Sequence, residues 1–251
     1  MPELSSAMVA LLVALAFAAG FVSSMAGAGG LITLPALLWA GLPPLLALGT
    51  NKVQSALGTL ASAANFLRSG HLRWAEARRS LCFAGLGAML GALAVQRLST
   101  AVLEAVLPVL LIAIAGYFLL SPRIGDRDMP EPVAPRIFDL GAAPAMGFYG
   151  GFFGPGTGSI LPFLLVSLRG YNLRKATAHT KALVLVINGI AALLFAVSGR
   201  VFWGLALAMA GAQMLGAWLG SGLVIRRGTR LVQPVIVAVT LAVALHLLWR
   251  Q

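Results

Sequence analysis

Apolar residues gather along this chain in ten runs separated by short polar breaks. Five fall in the first half, at roughly 7–26, 30–41, 45–67, 79–96 and 101–120. Five more follow at roughly 138–153, 157–168, 175–197, 201–223 and 231–249. Most approach the ~20 residues that carry an α-helix across a ~30 Å hydrocarbon layer. The runs lack the period-two alternation of a membrane strand, so helices are expected rather than a barrel. The second and seventh runs are short, about 12 residues each, and each follows a glycine-rich break. These breaks are Gly27-Ala-Gly-Gly30 and Gly154-Pro-Gly-Thr-Gly158.

The pattern is written twice. Gly20-Phe-Val-Ser-Ser-Met-Ala-Gly-Ala-Gly-Gly-Leu-Ile-Thr-Leu-Pro35 returns as Gly147-Phe-Tyr-Gly-Gly-Phe-Phe-Gly-Pro-Gly-Thr-Gly-Ser-Ile-Leu-Pro162. Ala47-Leu-Gly-Thr-Asn-Lys52 is echoed by Ala176-Thr-Ala-His-Thr-Lys181, and single residues continue the match: Phe66 and Phe195, Gly70 and Gly199, Trp74 and Trp203, Gly87 and Gly216, Gly91 and Gly220. Long repeats in an apolar chain predict a transporter built from two related halves. The expected division is a first membrane repeat over 1–120, a cytoplasmic linker over 121–137 and a second repeat over 138–251, all within one membrane domain. The linker carries Pro122, Pro130, Pro132 and Pro135, which makes it stiff and short.

Five segments per half force the second copy to enter the membrane upside down. The basic residues test this. If the loop after the third segment is cytoplasmic, that side holds Arg68, Arg73, Arg78, Arg79, Arg123, Arg127, Arg136, Arg169, Arg174, Lys175, Arg226, Arg227 and Arg230, which is 13 of the 18. The opposite loops hold Arg97, Arg200 and Arg250. The asymmetry predicts inverted repeats with both termini outside the cytoplasm. The parity survives if the short segments are re-entrant. The fold expected is therefore an all-α integral membrane protein of two inverted repeats, with about 8–10 hydrophobic segments and two short broken or re-entrant helices.

Composition agrees: 59% of residues are hydrophobic, 10% are charged and the mean hydropathy is +0.93. A soluble domain carries roughly 25% charged residues. The net charge of +11 is spread over loops rather than one helix face, so nucleic acid is not an expected partner. The N-terminus lacks a basic stretch before its first apolar run, which is read as a retained membrane segment. Cys82, the single cysteine, is read as a buried packing residue. Trp39, Trp74, Trp203 and Trp249 lie near segment ends, as an aromatic belt predicts.

Unwound backbone at membrane depth must be buried in protein or line a wet cavity. Short helices starting near Leu31 and Ser159 would aim their positive N-terminal ends at the breaks, and Thr33, Thr157 and Ser159 add hydroxyl donors. Unusual backbone is expected at Gly29 and Gly156. Gly85, Gly87, Gly91, Gly216 and Gly220 are read instead as close-packing positions. Lys52 and Lys181 fall inside segments, each about 10 Å along its helix. Buried membrane charges are functional by default; the alternative is a stem that snorkels back to the interface. Each lysine also lies near its own helix start, where a cation opposes the dipole. His179 stands where the first half has Thr50, and is either a proton carrier or a hydrogen-bonded packing residue. Asn51, Gln54, Thr59, Asn65 and Asn188 either bond one another or line a path.

These paired motifs, Gly-x-Gly-Gly-Leu-Ile-Thr-Leu-Pro with Gly-Thr-Asn-Lys and Gly-x-Gly-Thr-Gly-Ser-Ile-Leu-Pro with Ala-His-Thr-Lys, resemble the TauE/SafE sulfite-exporter family over essentially the whole chain. The resemblance implies an inner-membrane secondary transporter of small anions, with sulfite, sulfonates and related organosulfur compounds as associated substrates. The family motif maps onto Gly27, Gly29, Gly30, Thr50, Asn51, Lys52, Gly154, Gly156, Thr157, Gly158, His179, Thr180 and Lys181, as candidate substrate-binding or gating residues. The expected partners are a small anion, the bilayer and a coupling proton or counter-ion; no cofactor or metal is expected. Two other classes compete. A passive anion channel would share the basic pair, and a membrane-embedded enzyme would need a convergent acid–base or metal set. No His-x-x-His or intramembrane Asp pair occurs, Glu104 stands alone, and no Gly-x-x-x-x-Gly-Lys-Ser/Thr loop supplies ATP drive.

Overall fold

The computed structural model describes residues 4–68, 70, 74–120, 130 and 132–227. Helices α1 (Ser6–Ala26), α2 (Gly30–Trp39), α3 (Pro44–Arg68), α4 (Trp74–Val95) and α5 (Thr100–Leu120) form the first half. The second half runs through a single turn, α6 (Pro135–Ile137), a π-helical turn (Phe138–Ala142), then α7 (Ala143–Phe152), α8 (Thr157–Arg169), α9 (Leu173–Val197) and α10 (Trp203–Arg227). Among the described residues there is no strand. The expected run at 231–249, with His246 and Trp249, lies outside them, as do His71 and Arg73.

The short helices fall where the breaks predicted them. Two other boundaries shift for identifiable reasons. α4 begins five residues before its apolar run, because the turn holding Glu76, Arg78 and Arg79 keeps its helical bonds after leaving the apolar zone. The run from 138 is not one regular helix: Ala143 N–H bonds five residues back to the Phe138 carbonyl. Pro144 supplies no N–H to the α-helical ladder, and the wider turn takes up the mismatch.

α1, α4 and α9 are long and apolar enough to cross a membrane, over Ser6–Met25, Glu76–Val95 and Leu173–Val197. Large apolar side chains cover the outside, among them Leu90, Val109, Leu193, Leu215 and Trp218. That surface suits hydrocarbon and not water. It also corrects the reading of Cys82, which is exposed. Cys82 shares an outward face of α4 with Leu86, Leu90 and Leu93. In a membrane helix an apolar neighbourhood marks lipid as readily as core.

The repeat is visible in the backbone. Gly27 and Gly154, Gly41 and Gly170, and Gly70 and Gly199 all take positive φ at matching positions. Trp74 and Trp203 each open their helix at 49% exposure. Packing between the halves is reciprocal: α1 lies on α10 and α7 on α4, while α3 runs between α10 and α9. Apolar packing splits likewise into two clusters, one containing Phe195 and the other Phe66.

The reciprocal crossings use glycine. A Cβ at Gly87 would overlap the Pro144 carbonyl, and one at Gly91 that of Phe148. At the other crossing a Cβ at Gly216 would overlap the Phe17 carbonyl, and Gly220 is closed in by Ser24 and Phe21. Gly85 differs slightly, meeting the Ile190 side chain at 2.8 Å. Lipid offers no hydrophobic drive for helix association, so close backbone approach does that work. Gly211, on the same α10, has open space where a Cβ would go. Gly216→Val should therefore lower the melting temperature of the detergent-purified protein, at a cost of about 1–3 kcal/mol, while Gly211→Ala should leave it within error. Equal shifts for the two would refute close packing as the reason for Gly216.

Candidate functional site

α1 ends where Gly27 turns left-handed, with φ 74° and its N–H bonded to the Ser23 carbonyl at 2.8 Å. Only glycine takes that turn without steric cost. Gly29, the N-cap of α2, has an ordinary helical φ of −57°. The expectation of unusual backbone at Gly29 is thus corrected in favour of Gly27. Gly29 is small for another reason: a Cβ there would come 2.8 Å from the Ala19 carbonyl oxygen. In the second break Gly154 and Gly156 are both left-handed, at φ 105° and 85°. Thr157 closes that turn, its amide and hydroxyl bonding the Gly154 carbonyl at 3.1 and 2.7 Å.

The two breaks meet backbone to backbone. A Cβ on Gly158 would lie 2.8 Å from Gly27 Cα, and one on Gly30 would lie 3.2 Å from Pro155 Cα. The first turn of α8 therefore rests on the first break, and the first turn of α2 on the second. Each positive helix end faces the unwound segment of the other half.

Lys52 and Lys181 complete the crossing. Each is the ninth residue of its helix, α3 or α9, at 0% and 3% exposure. Lys52 Nζ donates to the carbonyls of Gly150 and Phe153, the latter at 3.1 Å, and lies beside Gly154. Lys181 Nζ donates to the Ser23 carbonyl. Ser23 and Gly150 hold the same place in the repeat, so each lysine binds the last turn of the broken helix in the opposite half. This excludes snorkelling for both. It also resolves the conflict with the dipole, since each ammonium sits at the negative C-terminal end of another helix.

The remaining candidates divide. Asn51 Oδ1 accepts from Thr33 Oγ1 at 2.6 Å and from Gln54 Nε2 at 3.1 Å, tying α2 to α3. Thr50 Oγ1 accepts from the Phe202 amide at 3.0 Å, just ahead of α10, so it acts as an anchor. His179, its repeat counterpart, has Nδ1 3.0 Å from the Lys175 carbonyl, while Nε2 is buried without a partner. Gln54 Oε1, Thr180 Oγ1 and Gln213 Oε1 are also buried and unpartnered. Such atoms are uncommon in a finished interior. Here they lie on α3, α9 and α10, which pack together. Asn65 instead bonds across to α10, to Ser221 Oγ at 2.8 Å and the Trp218 carbonyl at 3.2 Å. Among the described residues no group of His, Cys, Asp or Glu is arranged to hold a metal ion.

Sequence reasoning missed Gln213 and Tyr149. Gln213 is 3% exposed, and its side chain fills the space beside Gly58. A lone amide in an apolar run was the available signal, the same one that singled out Gln54. Tyr149 donates its hydroxyl to the Pro155 carbonyl across the second break. Its repeat counterpart is Val22, so the repeat could not flag it.

A sequence model described as sulfite exporter TauE/SafE matches residues 12–247. The chain belongs to the TauE/SafE sulfite exporter family. Relatives are alike over nearly their whole length. A probable membrane transporter protein, ORF9, of a Sinorhizobium species is 44% identical over 248 residues, covering 99% of this chain and 95% of the relative. A probable membrane transporter protein of Haemophilus influenzae is 38% identical over 244 residues, covering 97% and 96%. The probable membrane transporter protein YfcA of Escherichia coli is 41% identical over 234 residues, covering 93% and 87%. No solved structure matches the chain. As a TauE/SafE member the protein is a membrane transporter.

Replacing Lys52 with Met keeps length but strips two buried carbonyls of their donor. Lys52→Met should destabilise the protein by about 1–3 kcal/mol, read as a lower melting temperature in detergent. Lys181→Met should lower it less, because the Ser23 carbonyl keeps the Gly27 N–H. Unchanged melting for both would mean that the carbonyl contacts carry no stability.

Proposed function

We propose that this protein is a secondary transporter that exports a small anion by alternating access, with sulfite, a sulfonate or a related sulfur-containing anion as its substrate. The observation that carries this reading is the crossed placement of Lys52 and Lys181 at the helix breaks of the opposite half. Each break gathers a buried ammonium, the positive start of a short helix and small residues that admit close approach. An anion entering there competes with the last-turn carbonyls for the ammonium. Release of a lysine from those carbonyls would loosen the contact between halves, which couples binding to movement. His179 Nε2, buried beside this region, is the candidate carrier of a coupling proton. Gln54 and Thr180 supply the polar lining. The family's description as sulfite exporters supports the substrate class, while the relatives' names support transport alone.

The same reading takes the halves as inverted repeats, 1–120 and 138–251, joined by a cytoplasmic linker at 121–137 in the inner membrane. The end holding Arg78, Arg79 and Arg169 then faces the cytoplasm and both termini face outward. Single cysteines placed at Arg97 and Arg174, in a Cys82→Ser background, test this. An impermeant maleimide should label Arg97→Cys in intact cells and Arg174→Cys only after permeabilisation. The reverse pattern would overturn the orientation.

Transport itself is tested in proteoliposomes. A carrier loaded with unlabelled sulfite should accumulate labelled sulfite transiently by counterflow, and a channel should not. Lys52→Gln and Lys181→Gln should each cut exchange strongly. The double variant should lose clearly less than the product of the two single losses, since both address one substrate. Wild-type exchange in the double variant, at matched protein levels, would remove the lysines from the transport path.

A further inference from the structure

At one end of the molecule the start of α4, the turn before α7 and the α8–α9 connection converge on a cavity of about 330 Å³. Four cations line it, Arg78, Arg79, Arg169 and Lys175, against two carboxylates, Glu76 and Asp139. Both acids are engaged. Glu76 pairs with Lys175 at 3.1 Å, and Asp139, buried, accepts from the Ser80 hydroxyl. Among the described residues neither Arg78 nor Arg79 has an ion-pair partner, and both are exposed.

A loop that merely reports topology needs exposed charges. Arg169 is 7% exposed, with its guanidinium 5.2 Å from the Tyr171 ring centre and 5.9 Å from that of Phe138. Lys175 Nζ lies 4.1 Å from the centre of the same Tyr171 ring. Stacking of this kind fixes a guanidinium plane and its donor directions. The repeat supplies a control. Gly41, at the end of α2, matches Gly170 at the end of α8, with φ 84° and 63°. Residues 40–46 around Gly41 carry no charge at all. The turn itself therefore does not require cations. In the inverted reading the two turns face opposite sides, so it is the burial and ring stacking of Arg169 that topology leaves unexplained.

We propose that this pocket is an oxyanion-binding site, separate from the helix breaks, that takes a phosphate- or sulfate-class group. The group is either a free ion or the headgroup of an anionic lipid. Arg78 and Arg79 supply the unpaired charge at the rim, and Arg169 supplies a rigid guanidinium at the base. The volume admits such a group with several waters, each of about 30 Å³ in the liquid. The site does not depend on the transport reading, since it can bind without turnover.

The test uses the full chain in neutral detergent at low salt. Inorganic phosphate and inorganic sulfate are titrated calorimetrically, and retained phosphatidylglycerol is counted by native mass spectrometry. Wild type is compared with Arg78→Gln/Arg79→Gln, whose exposed positions spare the core, and with Lys52→Gln. A free-ion site gives phosphate or sulfate binding that weakens several-fold in the arginine variant and persists in Lys52→Gln. A headgroup site gives retained lipid that is lost in the arginine variant, with weak or no ion binding. Ion and lipid binding that are both absent, or both unchanged by the arginine exchanges, would overturn the proposal. Binding lost in Lys52→Gln and kept in the arginine variant would overturn it too, by placing the anion at the breaks.

Discussion

Two ammonium groups inside an apolar bundle have to be met by something, and here they are met by helix ends. Lys52 and Lys181 each bind last-turn carbonyls of a helix that stops short. Carbonyls in the last turn lack the N–H groups of a following turn wherever a helix stops, although the Ser23 carbonyl also takes the Gly27 N–H. Each feature would be costly alone: a bare ammonium at membrane depth costs at least ~2.5 kcal/mol, and unpaired backbone there is scarcely tolerated. Together they satisfy one another. The breaks offer acceptors inside the bundle, and the lysines can be buried because those acceptors are there.

That exchange demands tight registration between the halves, and the glycine crossings provide it. α1 on α10 and α7 on α4 approach until backbone touches backbone. At such separations there is little room to slide, so the ends of α1 and α7 are held where the lysines can reach them. A polar contact between the halves reinforces this near the end of α3, where Asn65 bonds Ser221 Oγ and the Trp218 carbonyl of α10.

Much of this was legible in the sequence because it depends on local rules or on repetition. Gly27-Ala-Gly-Gly30 and Gly154-Pro-Gly-Thr-Gly158 placed the short helices almost to the residue. The duplicated lysine motif identified the two ammonium groups. What lay hidden is long-range or depends on the surrounding solvent. No local rule tells which carbonyl, some hundred residues away, Lys52 will find. Nor does the repeat reveal that Thr50 anchors the amide before α10 while His179 stays half unpartnered, since their counterparts around them differ. Cys82 was misread because lipid and protein core favour the same side chains. Gly29 was misread because a glycine needed for close packing looks like one needed for its turn.

The exchanged lysines also impose an order in time. Lys181 emerges when Ser23 has long been made, and its partner already waits in α1. Lys52 has no such advantage, since Gly150 follows it by 98 residues. At about 5–20 residues per second, that is on the order of 5–20 s during which α3 carries a lysine without its partner. Through that interval the first half is an unfinished object, because α7 has not yet been made. The two halves resemble each other as structures, but they are not equivalent as stages of synthesis.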